Sequence, residues 1–259
     1  MKTIVQLKHF RKMDVMKKLP IGLGLACMMM LGSCSKENVV SPEAQIAGKS
    51  GVSPAPIILE LPSLAPTHGT TGLDVYPLKW ERNNNNYFGD LQKLPTGTSS
   101  FTHLWGDPSN PWVTPLPVIP SGQNTGSILT ITTGASSWQD ELGKGSSVKS
   151  VIKNLMPGKH YTVKFYVAST IPAIQDSSVN CVYAKSARIA MFFPKPNAPS
   201  VHDYPVDLTN SNANWVVKTI TFEAHYKEAV FGFSAYAPKP GQYSFAHIYV
   251  DKNSVKKID

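Results

Sequence analysis

Apolar and polar side chains alternate one by one in several segments of the second half of the chain. In residues 160–168, Tyr161, Val163 and Phe165 share one face, while His160 and Thr162 share the other. A period of two is that of a β-strand with one buried face. The pattern predicts an all-β sandwich, with further strands bounded by Pro, Gly, Asn or Asp at Ser127–Thr133, 187–193, 215–222, Ala229–Tyr236 and 244–250.

One further apolar segment, residues 147–155, fits two periods. Val148, Val151, Ile152 and Leu155 also match the spacing of a helix face. The segment is nevertheless short and β-branched, and a Pro-Gly turn follows it, which favours a strand.

Three long stretches without periodicity interrupt the strands, at residues 81–99, 106–126 and 194–214. Loops of this length in a compact domain are usually functional or lack fixed structure. The first contains four asparagines at 83–86, which suit exposed turns and could also bond sugar hydroxyls; exposed turns are the favoured interpretation. Residues 202–204 are expected to form a plain turn.

The N-terminus has the organisation of a secretory signal. Lys17 and Lys18 precede an apolar run over residues 19–31, which is shorter than the roughly 20 residues of a membrane span. The run ends in Leu31-Gly32-Ser33-Cys34, which resembles the bacterial lipobox. The resemblance implies that Cys34 is acylated and that the chain is a lipoprotein. Ser35 is not the aspartate that retains some lipoproteins at the inner membrane, so the outer membrane is favoured, facing the periplasm or the cell surface.

Composition divides the chain into three parts. Residues 1–33 are the expected signal peptide, residues 34–56 the lipidated cysteine and a Ser-, Pro- and Gly-rich flexible linker, and residues 57–259 a single β-sandwich domain. Only 16% of the residues are charged, against about 25% in an average soluble protein, which disfavours coiled coils and helical bundles.

Most of the net charge of +8 belongs to the signal. Residues 1–33 hold six basic residues and one acid, so the remainder carries 19 basic and 16 acidic residues, or +3. That is too weak for the electrostatic footprint of a nucleic-acid-binding protein. Of the three cysteines, Cys27 leaves with the signal and Cys34 carries lipid. Cys181 then has no partner for an intrachain disulfide, and a small buried hydrophobe is its favoured role.

Two stretches resemble the galactose-binding-like jelly rolls, the fold of many carbohydrate-binding modules. The segment Asn154-Leu155-Met156-Pro157-Gly158-Lys159-His160-Tyr161-Thr162 is similar to that family's Leu-x-Pro-Gly-x-x-Tyr-Thr strand entry. Later come Trp215, Thr219 to Phe222, Val230 to Phe233 and the closing segment from Ile248 to Val255, in the family's order. The resemblance covers roughly residues 127–255, and it implies a jelly-roll β-sandwich that binds glycans.

The resemblance also implies a structural calcium ion near the closing strand, for which Asp251 is the candidate ligand. The usual Asp-Asn pair of the family is interrupted here by Lys252. Calcium needs six or more oxygen ligands, and only one side chain can be named, so a strand-end cap is the favoured role of Asp251. No other cofactor is expected.

Three tryptophans lie in polar, turn-forming segments, where an exposed indole is unusual. Trp138 is followed by Gln139 and Asp140, and Trp105 and Trp112 flank a Gly-Asp-Pro-Ser-Asn-Pro segment. Sugar recognition needs flat aromatic faces beside amides and carboxylates, because the CH-rich face of a pyranose stacks on rings while its hydroxyls need directional partners. These five residues are therefore the candidate ligand-binding residues, the alternative being that the rings anchor loops.

Catalytic arrangements are weak in the sequence. Asp140 and Glu141 are adjacent, unlike a glycosidase pair that faces across a bond, and the histidines lack the spacing of zinc ligands. The sequence thus predicts no catalytic residues and a non-enzymatic, lipid-anchored envelope protein that binds a glycan or polysaccharide. The alternatives are an adhesion or envelope-assembly subunit that binds another protein and, third, a glycan hydrolase.

Overall fold

The computed structural model describes residues 60–83, 99–121, 127–141, 144–173, 177–194 and 200–259. The expected signal peptide, Cys34 and the linker lie outside these residues. Contacts between Cα atoms group Pro56–Asp259 into one compact unit. No helix long and apolar enough to cross a membrane occurs in the part of the chain that the structure describes.

Regular structure in the described residues is almost entirely β. Besides one 3-10 turn, Trp138–Asp140, these residues form thirteen strands: β1 Gly72–Leu73, β2 Trp80–Arg82, β3 Ser99–His103, β4 Gly106–Asp107, β5 Asn110–Pro111, β6 Ser127–Thr133, β7 Val148–Ile152, β8 His160–Thr170, β9 Ser186–Phe193, β10 Ser200–Asp207, β11 Val216–Glu223, β12 Ala229–Tyr236 and β13 Ser244–Lys257.

The strands form two antiparallel sheets. As far as the described residues show, the first sheet has eight strands in the order β11-β8-β13-β6-β3-β4-β5, with β1 paired to β3, and the second has five in the order β10-β9-β12-β7-β2. Strands that follow each other in sequence alternate between the sheets from β6 to β9, as a jelly roll requires. The predicted jelly-roll β-sandwich is confirmed.

The main core fills the space between the two sheets. Phe165 of β8 and Phe231 of β12 meet edge to face with ring centroids 5.7 Å apart, and Trp80 of β2 meets Phe231 at 6.2 Å. These rings are buried, and β9 adds Ile189 and Met191 from alternate positions. Burial of large aromatic side chains of this kind contributes strongly to the stability of a sandwich.

A second apolar layer covers the outer face of the first sheet. Trp112, Leu116 and Ile119 are buried there, the last two against Tyr166 and Tyr249. The covering chain is tied down by its backbone, since Leu116 N–H donates to Leu104 O at 2.9 Å and Val113 N–H donates to Ile171 O at 2.8 Å. Part of the stretch 106–126, predicted as a long loop, is therefore a packed cover. This cover also explains why the second half of β8 is buried on both faces of the sheet.

A buried histidine lies on the outer face of the first sheet, beside Trp112 of this cover. The side chain of His247 is fully buried, and its ring nitrogens lie 2.9 Å from Thr130 Oγ1 and 2.7 Å from Thr170 Oγ1. Burial lowers the pKa of His247 to about 3, because a charged imidazolium would lose its hydration. His247 is therefore neutral throughout the physiological pH range.

Some of the predicted loops contain strands. Residues 81–82 belong to β2 and residue 99 begins β3. Residues 202–204, predicted as a turn, lie inside β10. That strand is polar because it forms the edge of the second sheet, where Pro205 is tolerated. Of the four asparagines, residues 84–86 lie outside the described residues. The strand prediction for residues 147–155 is confirmed by β7.

Candidate functional site

A groove lies on the outer face of the second sheet, at the β9 and β10 edge. Its volume is about 470 Å³, which is within the range of small-ligand sites. Trp138 lines it from the loop after β6, and strands β9, β10 and β12 contribute the remaining lining residues, which are Ser186, Ala187, Arg188, Phe192, Val201, Asp203, Pro205 and Tyr236. We call this the Trp138 groove.

Alternation along β9 decides which side chains face the groove. Ile189 and Met191 point into the core, so Arg188, Ala190 and Phe192 face outward. The register places Arg188 opposite Pro205 of β10 and Ser234 of β12. The outward face of β9 consequently offers one cation, Arg188, and one aromatic ring, Phe192, at fixed positions.

Arg188 is held between two carboxylates. Its Nε donates to Asp203 Oδ1 at 2.9 Å and its Nη1 donates to Glu141 Oε2 at 3.3 Å. Tyr236 OH also donates to Glu141 Oε2 at 3.3 Å. Partial burial lowers the pKa of Arg188, but the hydrogen bond and charge of Asp203 and the charge of Glu141 outweigh it, so the net shift is upward. The groove wall is therefore a charged, preorganised network.

Trp138 stands on a rigid turn at the mouth of the groove. Its side chain is 68% exposed, although it begins a 3-10 turn whose shape is fixed by Asp140. Asp140 Oδ1 accepts the backbone N–H of Ser137 at 2.8 Å and of Ser136 at 3.1 Å, and both serine hydroxyls also donate to this carboxylate. The hydrogen-bonded turn fixes the backbone from which the exposed indole projects, and such preorganisation favours a stacking platform.

Asp140 acts inside the turn. Its slight burial raises its pKa, but the hydrogen bonds from Ser137 and Ser136 lower it more, so the net shift is downward. Asp140, which the sequence predicted as a ligand-binding residue, thus stabilises the turn that carries Trp138. Gln139 is exposed next to Trp138.

The other two candidate tryptophans lie away from the Trp138 groove. Trp105 is 43% exposed in the turn between β3 and β4, and its ring stacks on His103 with centroids 5.2 Å apart and planes inclined by 6°. Trp112 is only 3% exposed and packs against Phe245 at 5.7 Å and His247 at 5.2 Å. A ring buried to this degree offers no face to a ligand, so Trp112 belongs to the cover of the first sheet.

Asp251 lies in an irregular part of β13. The register with β8 shifts between Val250 and Val255, and Asp251 lines a polar pocket of about 430 Å³ together with Lys164 and Lys256. Its Oδ1 accepts the N–H of Lys252 at 2.6 Å. Among the described residues no group of three or more His, Cys, Asp or Glu side chains could hold a metal ion. The lysines in the same pocket would repel a calcium ion.

Sequence reasoning missed the ionic part of the site. Arg188, Asp203, Glu141 and Tyr236 come from four separate segments and meet only in the folded sheet. One signal was present: Arg188 is the single cation in the otherwise apolar segment 187–193. A charged residue at an outward position of a buried strand indicates a partner on a neighbouring strand.

No family model matches the chain, and no curated protein matches it. Solved structures with a similar arrangement include a CBM4 structure, with 14% identity over 51% of this chain and 70% of that one and a TM-score of 0.33. TmCBM61 in complex with β-1,4-galactotriose is 12% identical over 68% of this chain and 90% of that one, with a TM-score of 0.35. The K2 cleaved adhesin domain of Lys-gingipain is 9% identical over 74% of this chain and 98% of that one, also with a TM-score of 0.35. Likenesses this distant assign no ligand to this chain.

Proposed function

We propose that this chain is a lipid-anchored envelope protein whose β-sandwich binds a glycan in the Trp138 groove without catalysis. The observation that carries the proposal is Trp138 itself, an indole 68% exposed on a turn that hydrogen bonds hold rigid. Exposing a large apolar ring costs solvation free energy, and an exposed apolar surface rimmed by polar groups is typical of a binding site.

The surroundings of Trp138 match the chemistry of a sugar. The apolar CH face of a pyranose can stack on the indole, while its hydroxyls require both donors and acceptors at fixed positions. Among the lining residues, Asp203 supplies a carboxylate acceptor, Arg188 guanidinium donors and Tyr236 a hydroxyl. Glu141 accepts hydrogen bonds from Arg188 and Tyr236 and so holds them in place. Because these groups already hold one another in place, ordering them costs little entropy when the ligand binds.

The same network argues for binding over hydrolysis. A glycosidase needs one protonated carboxylic acid and one ionised carboxylate on opposite sides of the scissile bond. Asp203 and Glu141 both bind the guanidinium of Arg188, so the space between the two carboxylates holds a cation rather than a scissile bond. This arrangement does not match that of a glycosidase pair.

The anchor belongs to the same proposal and rests on the sequence from Lys17 to Cys34. A Cys34→Ala precursor should incorporate no fatty acid and should stay unprocessed, because the lipoprotein peptidase cuts only after the cysteine is acylated. Metabolic labelling with a radioactive fatty acid measures this. Equal labelling of variant and wild type would refute the anchor. We place the anchored protein at the outer membrane, because the residue after Cys34 is Ser35 and not an aspartate.

The glycan site is tested by Trp138→Ala, with Trp105→Ala as the matched control. Both remove an exposed indole from a turn, but only Trp138 lines the groove. In affinity electrophoresis against a panel of soluble glycans, Trp138→Ala should weaken retention by about 1 to 3 kcal/mol, as truncation of an aromatic hot spot does. Its melting temperature should barely change, and Trp105→Ala should be retained like the wild type.

One observation favours a second candidate. Phe192, Val201 and Pro205 give the groove an apolar side, and Val201 is 44% exposed. An envelope protein partner could bury these side chains, as an adhesion or assembly subunit would require. If no glycan retards the wild type, the sugar proposal fails and this partner-binding function replaces it.

A further inference from the structure

A second groove, larger than the first, lies at the opposite edge of the second sheet. Its volume is about 810 Å³, and its lining comes from residues 61–66, from His68, from Leu78 and Lys79 just before β2, from Val151 and Lys153 at β7, and from the end of β13. The order β10-β9-β12-β7-β2 separates this edge from the β9 and β10 strands of the Trp138 groove. The two grooves could therefore be occupied at the same time.

The rim of this second groove combines exposed leucines with lysines. Leu61 is 80% exposed and Leu78 is 81% exposed, the two highest values among the exposed large hydrophobic side chains of the described residues. Five lysines line the same groove, Lys79, Lys153, Lys252, Lys256 and Lys257, and none of the described lining residues is acidic. We call this combination of leucines and lysines the lysine-leucine rim.

Several of these lysines are not neutralised. Lys153 lies 3.8 Å from Glu228 in an exposed pair, and Lys257 Nζ contacts the sulfur of Met156. Lys252 and Lys256 form no ion pair with a described residue. Residues 251–254, which include Lys252, lie at the register shift of β13 and have no paired residue in β8. A bulge that disrupts a long strand at a surface site is typically a designed feature of the fold.

The rim is also where the chain enters the domain. Glu60 is the first described residue, and Leu61 to Pro66 line the groove directly after it. The segment that leads back to Cys34 has 25 residues between Cys34 and Glu60. In sequence, the segment that follows Cys34 therefore leads directly into residues that line this groove.

We infer that the lysine-leucine rim docks on the surface of a bilayer that contains anionic phospholipids, with its lysines on the headgroup phosphates and Leu61 and Leu78 in the interfacial region. Exposed leucines beside lysines are the chemistry of interfacial membrane contact. The inference uses the proposed anchor to place the rim at a membrane. The contact itself depends only on the side chains described above. Membrane contact at the rim would leave the Trp138 groove, at the opposite edge of the second sheet, accessible to a ligand.

The test uses the unacylated chain from Ser35 to Asp259, which contains the entire described core and so carries its own fold. Co-sedimentation is measured with vesicles of phosphatidylcholine alone and with vesicles that contain about 30% phosphatidylglycerol. We expect binding to the anionic vesicles only, weakened by 0.5 M salt because salt screens headgroup attraction.

The decisive variant is Lys252→Gln with Lys256→Gln and Lys257→Gln. Each lysine near an anionic surface is worth about fivefold in binding, so three should cost on the order of 100-fold. The control removes three exposed lysines that lie outside the groove, Lys185, Lys218 and Lys239, and should bind within twofold of the wild type. Leu61→Ser with Leu78→Ser should also weaken binding at unchanged charge.

Three results would overturn the inference: equal binding to both vesicle types, equal losses in the two lysine triples, or no loss in the first triple. Circular dichroism of each variant confirms that the fold is intact. The assay contains no acylated protein, so its outcome is independent of whether Cys34 carries lipid. A failed anchor would appear in the fatty-acid labelling and a failed rim in the sedimentation.

Discussion

Acid should destabilise this sandwich through His247. The folded protein holds this imidazole neutral, with its pKa lowered to about 3 by complete burial, against an ordinary value of 6.5. The unfolded chain therefore binds one more proton than the folded chain between these two pH values. A group with a lowered pKa loses its stabilising contribution as the pH falls, so stability should decrease below about pH 6.5.

The size of the effect follows from the two pKa values. Each pH unit between them costs roughly 1.4 kcal/mol. At pH 5 the loss is about 2 kcal/mol relative to pH 7, because the imidazole is mostly protonated in the unfolded chain and mostly neutral in the folded one. A loss of this size is a large fraction of the 5 to 15 kcal/mol that stabilises a typical domain.

The assay is urea denaturation of the wild type and His247→Gln at pH 7, 6 and 5. A glutamine amide can bond both Thr130 and Thr170 but does not titrate. The variant will start from a lower free energy of unfolding, because its fit under the cover is poorer. Its free energy should nevertheless fall by about 2 kcal/mol less than that of the wild type between pH 7 and pH 5.

His160→Gln is the control, since His160 has the opposite sign. His160 is exposed and its Nδ1 lies 3.0 Å from Asp259 Oδ2. This hydrogen bond raises its pKa, so its contribution is present at low pH and lost as the pH rises through the folded pKa. His160→Gln should therefore not reduce the fall in the free energy of unfolding between pH 7 and pH 5. Parallel pH profiles for wild type and His247→Gln would refute the assignment to His247.

Four further predictions concern the cover, the turn and the domain. Trp112→Ala should lower the free energy of unfolding by about 3 to 5 kcal/mol in a urea titration, as removal of a buried indole does. Asp140→Ala should cost about 1 kcal/mol in the same titration, by analogy with loss of a cap, and should also weaken glycan retention because the Trp138 turn loosens. Gly106→Ala should lower the melting temperature, because Gly106 has φ +102° and an added Cβ would lie 2.6 Å from Asn110 O. Residues 56–259 should give a cooperative β-rich melt by circular dichroism in chelator and reductant; a predominantly helical spectrum would contradict the fold.

The strands that the sequence pattern predicted are those with one clear apolar face. The bounds of β6 and β12 agree to the residue with the predicted segments. The strand β10 was missed because it lies at an edge and its residues 202–204 are polar. Edge strands use polar side chains and proline to avoid pairing with other chains, which makes them similar to loops in sequence.

The tryptophans show why site prediction from sequence is harder. Trp112 and Trp138 both lie in polar, turn-forming segments, yet one is buried and the other exposed. The difference depends on the outer face of the first sheet, where residues far apart in sequence create an apolar surface that Trp112 covers. No local pattern contains that information. The pairing of Arg188 with Asp203 and Glu141 likewise depends on strand order.

The alternation along β9 separates two tasks within eight residues. Ile189 and Met191 pack in the core between the two sheets, while Arg188 and Phe192 line the Trp138 groove. Substitutions at even positions can change what the groove prefers without creating cavities in the core. A library restricted to these outward positions should therefore change the groove surface at nearly constant stability. If the proposed function holds, ligand preference can diverge in this way while the scaffold stays the same.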